Sequence, residues 1–292
     1  MEQAMRKPFW LNKKIDLNSC RHLKEMLRDL RLHSVCEQSL CPNISECFSR
    51  SVATFMILGD VCTRNCNFCS VKKGRPTLPD YDEPQRIKKA AERLDLNYVV
   101  ITSPTRDDLC DGGASLFVET AQAVKSISSK QKVEVLIPDF KADKKSLMSI
   151  ATSCADVIGH NLETVPSLYK KVRSDSSYRR SLSVLETIKL ANRNVFTRSG
   201  LMLGFGERDD EVIGVMQNLR EVNCDFLNLG QYLSPSLKHH PVIEYVPVGR
   251  FDFFKKQAYS LGFRDVKSSP YVRSSYLACT SIVNSKTQHL TP

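Results

Sequence analysis

The chain has 292 residues, 41% hydrophobic and 25% charged, a usage that excludes disordered and fibrous classes and is long enough for one sizeable core. No run of about 18 apolar residues occurs, so a spanning helix is excluded, and the first residues lack the apolar stretch of a secretory signal, so a cytoplasmic location is expected. The 42 Lys and Arg against 32 Asp and Glu leave a net charge of +10, which favours an acidic partner without choosing among nucleic acid, anionic lipid and protein.

Eleven cysteines in a chain without an export signal point to thiols that hold metal rather than to disulfides. In chain order the first group is Cys36-x4-Cys41-x5-Cys47, in a segment (CEQSLCPNISECFSR) broken by Pro42 and without clean periodicity. A zinc knuckle is one reading. No cysteine or histidine pair sits at zinc-finger distance, however, and only three close thiols are present, so an iron–sulfur cluster with a remote fourth ligand fits better. A strand is expected at 53–60 (ATFMILGD), and Cys62-Thr-Arg-Asn-Cys66-Asn-Phe-Cys69 follows it directly, placing three thiolates in one loop at the strand's C-terminal end. Three cysteines on one short loop suit three irons of a 4Fe-4S cube, leaving the fourth iron open to an outside ligand. Cys20, Cys110, Cys154, Cys224 and Cys279 are scattered and read as packing or inert thiols.

Further strands are expected at 97–103, 132–138, 156–163, 195–205 and 226–233. Between them, five stretches carry apolar residues at three and four spacing against a charged face and read as crossover helices: 83–96, 111–127, 144–154, 181–193 and 209–222. Six parallel strands make either an open doubly wound sheet or a partial barrel. The polar residues at the strand C-termini (Asp60, Thr102, Ser103, Asn161, Glu163, Arg198, Ser199 and Gln231) favour the barrel, because ligands in parallel α/β folds gather at that edge. The expected fold is thus α/β, a partial (βα)6 TIM-like barrel at 51–233. Extensions at 1–50 and 234–292 cover its mouth, the whole forming one compact unit.

Several charged groups admit a bland reading. Arg106, Asp107 and Asp108, followed by Gly112 and Gly113, either order a substrate or close a salt-bridged loop. KKAAER, KADKK, YKKVR and YRR read locally as solvated helix faces, even where their sum steers a partner. His239 and His240 are adjacent and point apart, so they are not read as a metal pair.

The C-x-x-x-C-x-x-C spacing after a first barrel strand, with Phe68 before the last cysteine, resembles the radical S-adenosylmethionine superfamily. In that superfamily the open iron chelates the amino and carboxylate groups of S-adenosylmethionine, whose cleavage yields a 5′-deoxyadenosyl radical. By position and superfamily analogy, the cofactor contacts are the backbone of Phe68, Glu163 and Arg198 at strand ends, and Gly204, Gly206 and Glu207; Glu163 could equally cap a helix starting near Pro166. Taken with the upstream triad, the segments RDDLCDGGA (106–114), HNLETVPSLYKKVR (160–173), SGLMLGFGE (199–207), GQYLSPS (230–236) and VRSSY (272–276) resemble, in order, the motifs of the lipoyl synthase family.

That resemblance implies a sulfurtransferase inserting two sulfur atoms at C6 and C8 of an octanoyl chain amide-linked to a lysine of a carrier protein. It also implies two 4Fe-4S clusters, the auxiliary one, on Cys36, Cys41 and Cys47, being the sulfur donor. The auxiliary cluster's fourth ligand would be the serine next to the tyrosine in R-S-S-Y, here Ser275. A hard oxygen ligand would be easier to displace than a thiolate when sulfide must leave. The implied partners are octanoylated carriers (lipoyl domains of 2-oxoacid dehydrogenases and the glycine-cleavage H protein), whose usual acidity suits the basic balance, and an electron donor such as a flavodoxin or ferredoxin. Neither nucleic acid nor membrane is expected as a partner. Pro104, Cys110 and the stretch 247–253 depart from the family pattern, and none of them is an expected ligand. A methylthiotransferase also pairs two triads, but would spread the first over a separate domain and add a C-terminal β-barrel. A zinc-stabilised nucleic-acid-binding module would need fourth ligands and interleaved aromatics that are missing here.

Overall fold

In the computed structural model, which describes residues 6–13, 20–39, 41–49, 54–276 and 278–282, strands and helices alternate as the apolar patterning requires. The N-terminal part carries α1 (Arg21–Asp29), β1 (His33–Ser34), α2 (Val35–Gln38) and α3 (Ile44–Ser49). The main series opens with β2 (Thr54–Met56), and the short strands β3 (Val61–Cys62) and β4 (Lys72–Lys73) bracket the second cysteine triad. Then come α4 (Glu83–Arg93), β5 (Tyr98–Thr102), α5 (Ala114–Lys125), β6 (Lys132–Leu136), α6 (Lys144–Ala151) and β7 (Val157–Gly159). A short α7 (Tyr169–Val172), α8 (Tyr178–Ala191), β8 (Phe196–Leu203), α9 (Asp209–Glu221) and β9 (Phe226–Gln231) follow, and α10 (Val248–Ser260) and β10 (Asp265–Ser268) close the series. The expected first residue of the opening strand, 53, and the tail beyond 282 lie outside the described residues.

The main sheet has the order β1-β2-β5-β6-β7-β8-β9-β10, antiparallel at β1 and β2 and parallel elsewhere. β1 and β10 stand at opposite ends of that order, which leaves the barrel partial. Alternation along each strand sorts the side chains. Val99, Ile101, Val133 and Val135 face outward and pack with Ile87, Ala90, Phe117 and Ala121 of α4 and α5. Leu201, Leu203, Leu227 and Leu229 pack likewise with Val215, Leu219, Phe251 and Phe254 of α9 and α10. Each such side chain stabilises the fold by roughly 1.5–3 kcal/mol. The intervening residues, among them Glu134, Arg198 and Asn228, are buried on the other face, so the lumen carries polar groups.

The six expected strands and five crossover helices are all present, and the structure adds to them. The sequence places residues 234–292 outside the barrel; instead α10 packs against the sheet and β10 extends it, pairing in parallel with β9 from Asp265↔Phe226 to Ser268↔Leu229. β10 reads DVKS and offers no apolar run. Its buried Asp265 is satisfied by Lys267 and by Ser281, whose Oγ donates at 2.6 Å. At the other end, Leu23, Met26 and Leu27 of α1 join the cluster around Phe55 and Ile57, so the N-terminal segment shares the barrel's core.

Candidate active site

The loop after β2 is built before its cysteines are reached. Leu58 and Gly59 take positive φ values of 67° and 85° and turn the chain out of the sheet. The Leu58 N–H donates to Glu83 at 2.8 Å, and its carbonyl accepts from Arg106 Nη1 at 2.9 Å. Pairing of Cys62 with Lys73 across β3 and β4 then closes the loop that carries Cys62, Cys66 and Cys69. Arg64, between the first two thiols, is only 6% exposed. Its guanidinium donates to Asp107 at 2.7 and 2.9 Å and to Asp139 at 2.6 and 2.9 Å, and Asp139 also accepts from Arg180 Nε at 2.7 Å. Burial alone would raise the Asp139 carboxyl, but Arg64 outweighs it and holds the group well below the usual carboxylate range. Backbone bonds complete the bracing: Asn67 N–H donates to Val172 O at 3.0 Å, and Asn67 O accepts from His240 N–H at 2.9 Å. Thus the charged turn after β5 is a salt-bridged brace for the thiol loop, with Arg106 also paired to Asp108.

The N-terminal triad is assembled differently. α2 begins at Ser34, whose Oγ accepts from Glu37 N–H at 3.3 Å, and carries Cys36. Cys41 N–H returns to Cys36 O at 3.1 Å, and Cys47 on α3 bonds back to Asn43 O at 2.9 Å. Three contacts bring the C-terminal motif onto this group. Asn43 Nδ2 donates to Tyr271 O at 2.7 Å, the Tyr276 hydroxyl donates to Glu46 at 3.2 Å, and Ser275 Oγ shares a 2.7 Å hydrogen bond with Thr54 Oγ1. The Thr54 backbone N–H in turn points at the Cys36 sulfur. Asn228 Nδ2 donates to the carbonyls of Arg273 and Ser274 at 3.1 and 2.6 Å, and Asn161 Nδ2 donates to Ser274 Oγ at 2.6 Å. Gly230 permits this approach, since a Cβ there would lie 2.0 Å from Val272 O.

Both triads face one cavity of about 310 Å³, lined by Cys36 and Cys41, by Cys62, Cys66 and Cys69, and by Arg273, Ser274 and Ser275. Cys47 packs beside Cys36. Burial, with Cys41 and Cys47 nearby, pushes the Cys36 thiol up to about 12. Burial, with Cys66 and Cys62 nearby, does the same to Cys69, and burial raises Cys66. Thiolates gathered without a cation are costly, and a metal centre would remove that cost by deprotonating them outright. Among the described residues no three His, Cys, Asp or Glu side chains converge as a single ion requires. A four-iron cube takes its thiolates at separate irons, so the donor set fits a cluster better than a lone ion.

Among the described residues, nine buried side-chain N or O atoms have no hydrogen-bond partner, and four of them belong to cavity residues: Ser103 Oγ, His160 Nε2, Asn161 Oδ1 and Arg173 Nε. Such atoms are normally satisfied, so their concentration on one cavity marks where a polar guest belongs. Glu163 also lines it, at a positive φ of 68°, with its N–H on Gly200 O. Burial raises the Glu163 carboxyl, partly offset by Arg173 and by Asn161 Nδ2, which donates to it at 3.0 Å. Glu163 does not cap the turn at Pro166, whose N-cap is Val165.

Other expected residues lie elsewhere. Arg198 is not at a strand end: β8 continues to Leu203, and Arg198 is fully buried in the lumen, with Nε donating to Glu134 at 2.8 Å and Nη1 to Asn228 Oδ1 at 3.3 Å. It reaches the site only through Asn228. Gly204, Gly206 and Glu207 do not line the cavity. The Glu207 carboxylate staples its own loop, accepting from Gly204 N–H at 2.6 Å and Phe205 N–H at 2.9 Å. Gly204, at φ 106°, passes so close to Gln231 Nε2 and Glu244 O that a Cβ would lie 2.3 and 2.4 Å from them. Phe68 lines the cavity and packs with Val172, Phe205 and Tyr232. YKKVR is not wholly a solvated face, since Arg173 is 9% exposed and holds Asn161 O at 2.8 Å. His239 bonds Ser236 Oγ, and the His240 ring stands edge-on to Phe205. Cys110 is exposed and lines a separate surface cavity of about 440 Å³. The residues missed from sequence, His160 and Arg173, both belong to the stretch 160–173, and His160 follows β7 as directly as the polar residues singled out beside it.

A sequence model of the Radical SAM superfamily matches residues 56–219. The lipoyl synthase of Caldicellulosiruptor saccharolyticus is 53% identical over 274 residues, covering 94% of this chain and 96% of that protein. The lipoyl synthase of Geotalea uraniireducens is 50% identical over 273 residues, covering 94% and 96%. Among solved structures, methylornithine synthase (PylB) superposes with a TM-score of 0.55 at 13% identity, covering 81% of each chain. Streptococcus suis SuiB with its precursor peptide SuiA gives 0.59 at 12% identity, covering 78% of this chain and 52% of that one. At these identities the two structures speak for the fold alone. No helix among the described residues is long and apolar enough to cross a membrane.

Proposed function

The chain belongs to the lipoyl synthase family of radical S-adenosylmethionine enzymes, and from that premise we propose which of its residues carry the reaction. The protein inserts two sulfur atoms at C6 and C8 of an octanoyl chain held in amide linkage on a lysine of a lipoyl carrier protein. When bound, S-adenosylmethionine and the two 4Fe-4S clusters supply the hydrogen-abstracting radical and the inserted sulfur.

Cys62, Cys66 and Cys69 hold the cluster whose open iron takes S-adenosylmethionine, and Cys36, Cys41, Cys47 and Ser275 hold the auxiliary cluster. The observation that carries this reading is the single cavity shared by the first three thiols, by Cys36 and Cys41, and by Ser275. Between the two serines, Ser274 Oγ is engaged by Asn161, whereas Ser275 Oγ stands with Thr54 beside Cys36. Arg173 is a buried cation whose charge acts on Cys66 and Glu163, which suits the methionine carboxylate. Glu163 accepts from ribose hydroxyls, and the Phe68 backbone borders the base. Arg198, Gly204, Gly206 and Glu207 act as positioning residues: Arg198 orients Asn228 under the serine motif, and the glycines and Glu207 fix the loop that sets Phe205 behind Phe68.

The net charge of +10 supports steering of acidic carriers, for which the lipoyl domains of 2-oxoacid dehydrogenases and the glycine-cleavage H protein are the proposed substrates. A flavodoxin or ferredoxin is the proposed electron donor, and the cytoplasm the proposed location.

Ser275→Ala separates the roles. It should retain S-adenosylmethionine cleavage and lose most lipoyl product, whereas Ser274→Ala should reduce both less. Wild-type lipoyl yield from Ser275→Ala, measured by mass spectrometry of an octanoylated carrier, would overturn the serine assignment.

A further inference from the structure

His160 is a cavity residue to which the reading above gives no role. It follows β7 directly and its side chain is 1% exposed. Nδ1 lies 2.9 Å from Ile137 O. A carbonyl can only accept, so Nδ1 carries the proton and Nε2 presents a lone pair. Burial, reinforced by the Arg173 charge, lowers the ring's pKa to about 4, so the imidazole is neutral in ordinary buffers. Nε2 has no partner among the described residues, and His160 lines the cavity between the two triads. The site therefore holds a buried, orientation-fixed acceptor awaiting an N–H or O–H donor.

Two guests of the cavity bring such donors: S-adenosylmethionine, through its ribose hydroxyls, adenine amine and methionine amino group, and octanoyl-lysine, through its amide N–H. Their surroundings differ. Glu163 and Arg173 form the charged wall next to Cys66. The His160 ring feels the Arg173 charge too, but it is anchored on Ile137, whose neighbours Leu136 and Pro138 make an apolar wall of the same cavity. A hydrocarbon chain suits that wall, and the amide is the one polar group on the octanoyl arm that must find partners when it enters.

We propose that His160 Nε2 accepts the amide N–H of the octanoyl-lysine arm and so makes the site selective for an amide-linked acyl chain. The inference rests on the lipoyl synthase reading and adds a specificity-determining residue to it. An ester-linked arm of the same length lacks the N–H and would leave Nε2 without a partner.

The test uses cluster-loaded protein and two fluorescent peptides, one carrying octanoyl-lysine and the other its oxygen ester, with Kd read by anisotropy. Wild-type protein should bind the amide about ten-fold more tightly. His160→Phe should bind amide and ester equally, at the wild-type ester value, and its Kd for S-adenosylmethionine should stay within about two-fold of wild type. Retention of the amide preference by His160→Phe would overturn the proposal. So would a ten-fold loss of S-adenosylmethionine affinity with the preference intact, which assigns the lone pair to that cofactor. If His160→Phe does not fold, equal binding of the two peptides by wild type overturns it alone. Lipoyl product formed by the wild type from the amide peptide tests the underlying reading separately.

Discussion

The two cysteine triads share a cavity but are held by opposite means. Cys62, Cys66 and Cys69 sit in one loop, with Arg64 between them locked into a buried network with Asp107, Asp139 and Arg180. Cys36, Cys41 and Cys47 depend on hydrogen bonds from far along the chain: Thr54 to Ser275, Asn43 to Tyr271 and Glu46 to Tyr276 are separated by 221, 228 and 230 residues. The ion pair on the same segment, Lys13 with Glu46, is part-exposed, with side chains 22% and 26% accessible. A charged buried clamp resists rearrangement, whereas single part-exposed bonds between separate segments, two of the three neutral, can be exchanged one at a time. The difference matches two duties: one cluster must be the same before and after turnover, and the other must give up sulfide.

That contrast can be broken at several points. The largest effect belongs to Cys66→Ala, which should reduce 5′-deoxyadenosine formation and lipoyl product together to background. Cys41→Ala should spare the first and remove only the second, so equal loss of both from the two variants would erase the distinction. Next is Asp139→Asn, which leaves the buried Arg64 with Asp107 as its remaining carboxylate and should cost about 3 kcal/mol of unfolding free energy. Chemical denaturation checks this, and a cost below 1 kcal/mol would show that the clamp is not what holds the loop.

The route into the thiol loop carries a pH dependence. Burial raises the Glu83 carboxyl to about 7, despite the Leu58 N–H it accepts. A carboxyl raised in the folded state contributes stability that is complete below its unfolded value of 4.5 and is lost as pH rises through about 7. Glu83→Gln keeps an acceptor without the charge. Relative to wild type, it should therefore gain on the order of 1–3 kcal/mol between pH 5 and pH 8. A flat difference across that window would remove Glu83 ionisation from the account. Asp139 has the opposite sign, since its depressed carboxyl contributes stability that is lost only on strong acidification. The smallest expected effect is Tyr276→Phe, about 1 kcal/mol, because it removes one long hydrogen bond to the part-exposed Glu46 carboxylate, which keeps Lys13. A cost matching that of Asp139→Asn would collapse the comparison.

Legibility in sequence follows the same division. The radical-type loop was readable because its ligands, its strand and its aromatic lie within a few residues, and the crossover helices because an apolar stripe at helical spacing is a local signal. Strand ends were less readable. Residues 57 and 58 continue an apolar run after Met56, yet positive φ at Leu58 has already turned the chain. Arg198 lies well inside the strand expected at 195–205, yet its charge reads as that of a site residue because the sequence does not show that Glu134 waits opposite. Arg64 with Asp139 was invisible because the partners come from two loops, 75 residues apart. Arg173 was hidden among exposed lysines whose neighbour turns inward. The proposal of Ser275 comes only through the family motif, since a serine pair near a C-terminus carries no ligand signal of its own.

The central claim is that two separately held clusters face one cavity. Anaerobic iron and sulfide analysis with electron paramagnetic resonance tests it most directly, on wild type and on a Cys36→Ala, Cys41→Ala, Cys47→Ala variant. Two four-iron clusters predict about eight irons per chain in wild type and about four in the variant. The variant should keep the reduced-cluster signal and its response to S-adenosylmethionine. Zinc in place of iron, or loss of both clusters from the variant together, would contradict the account.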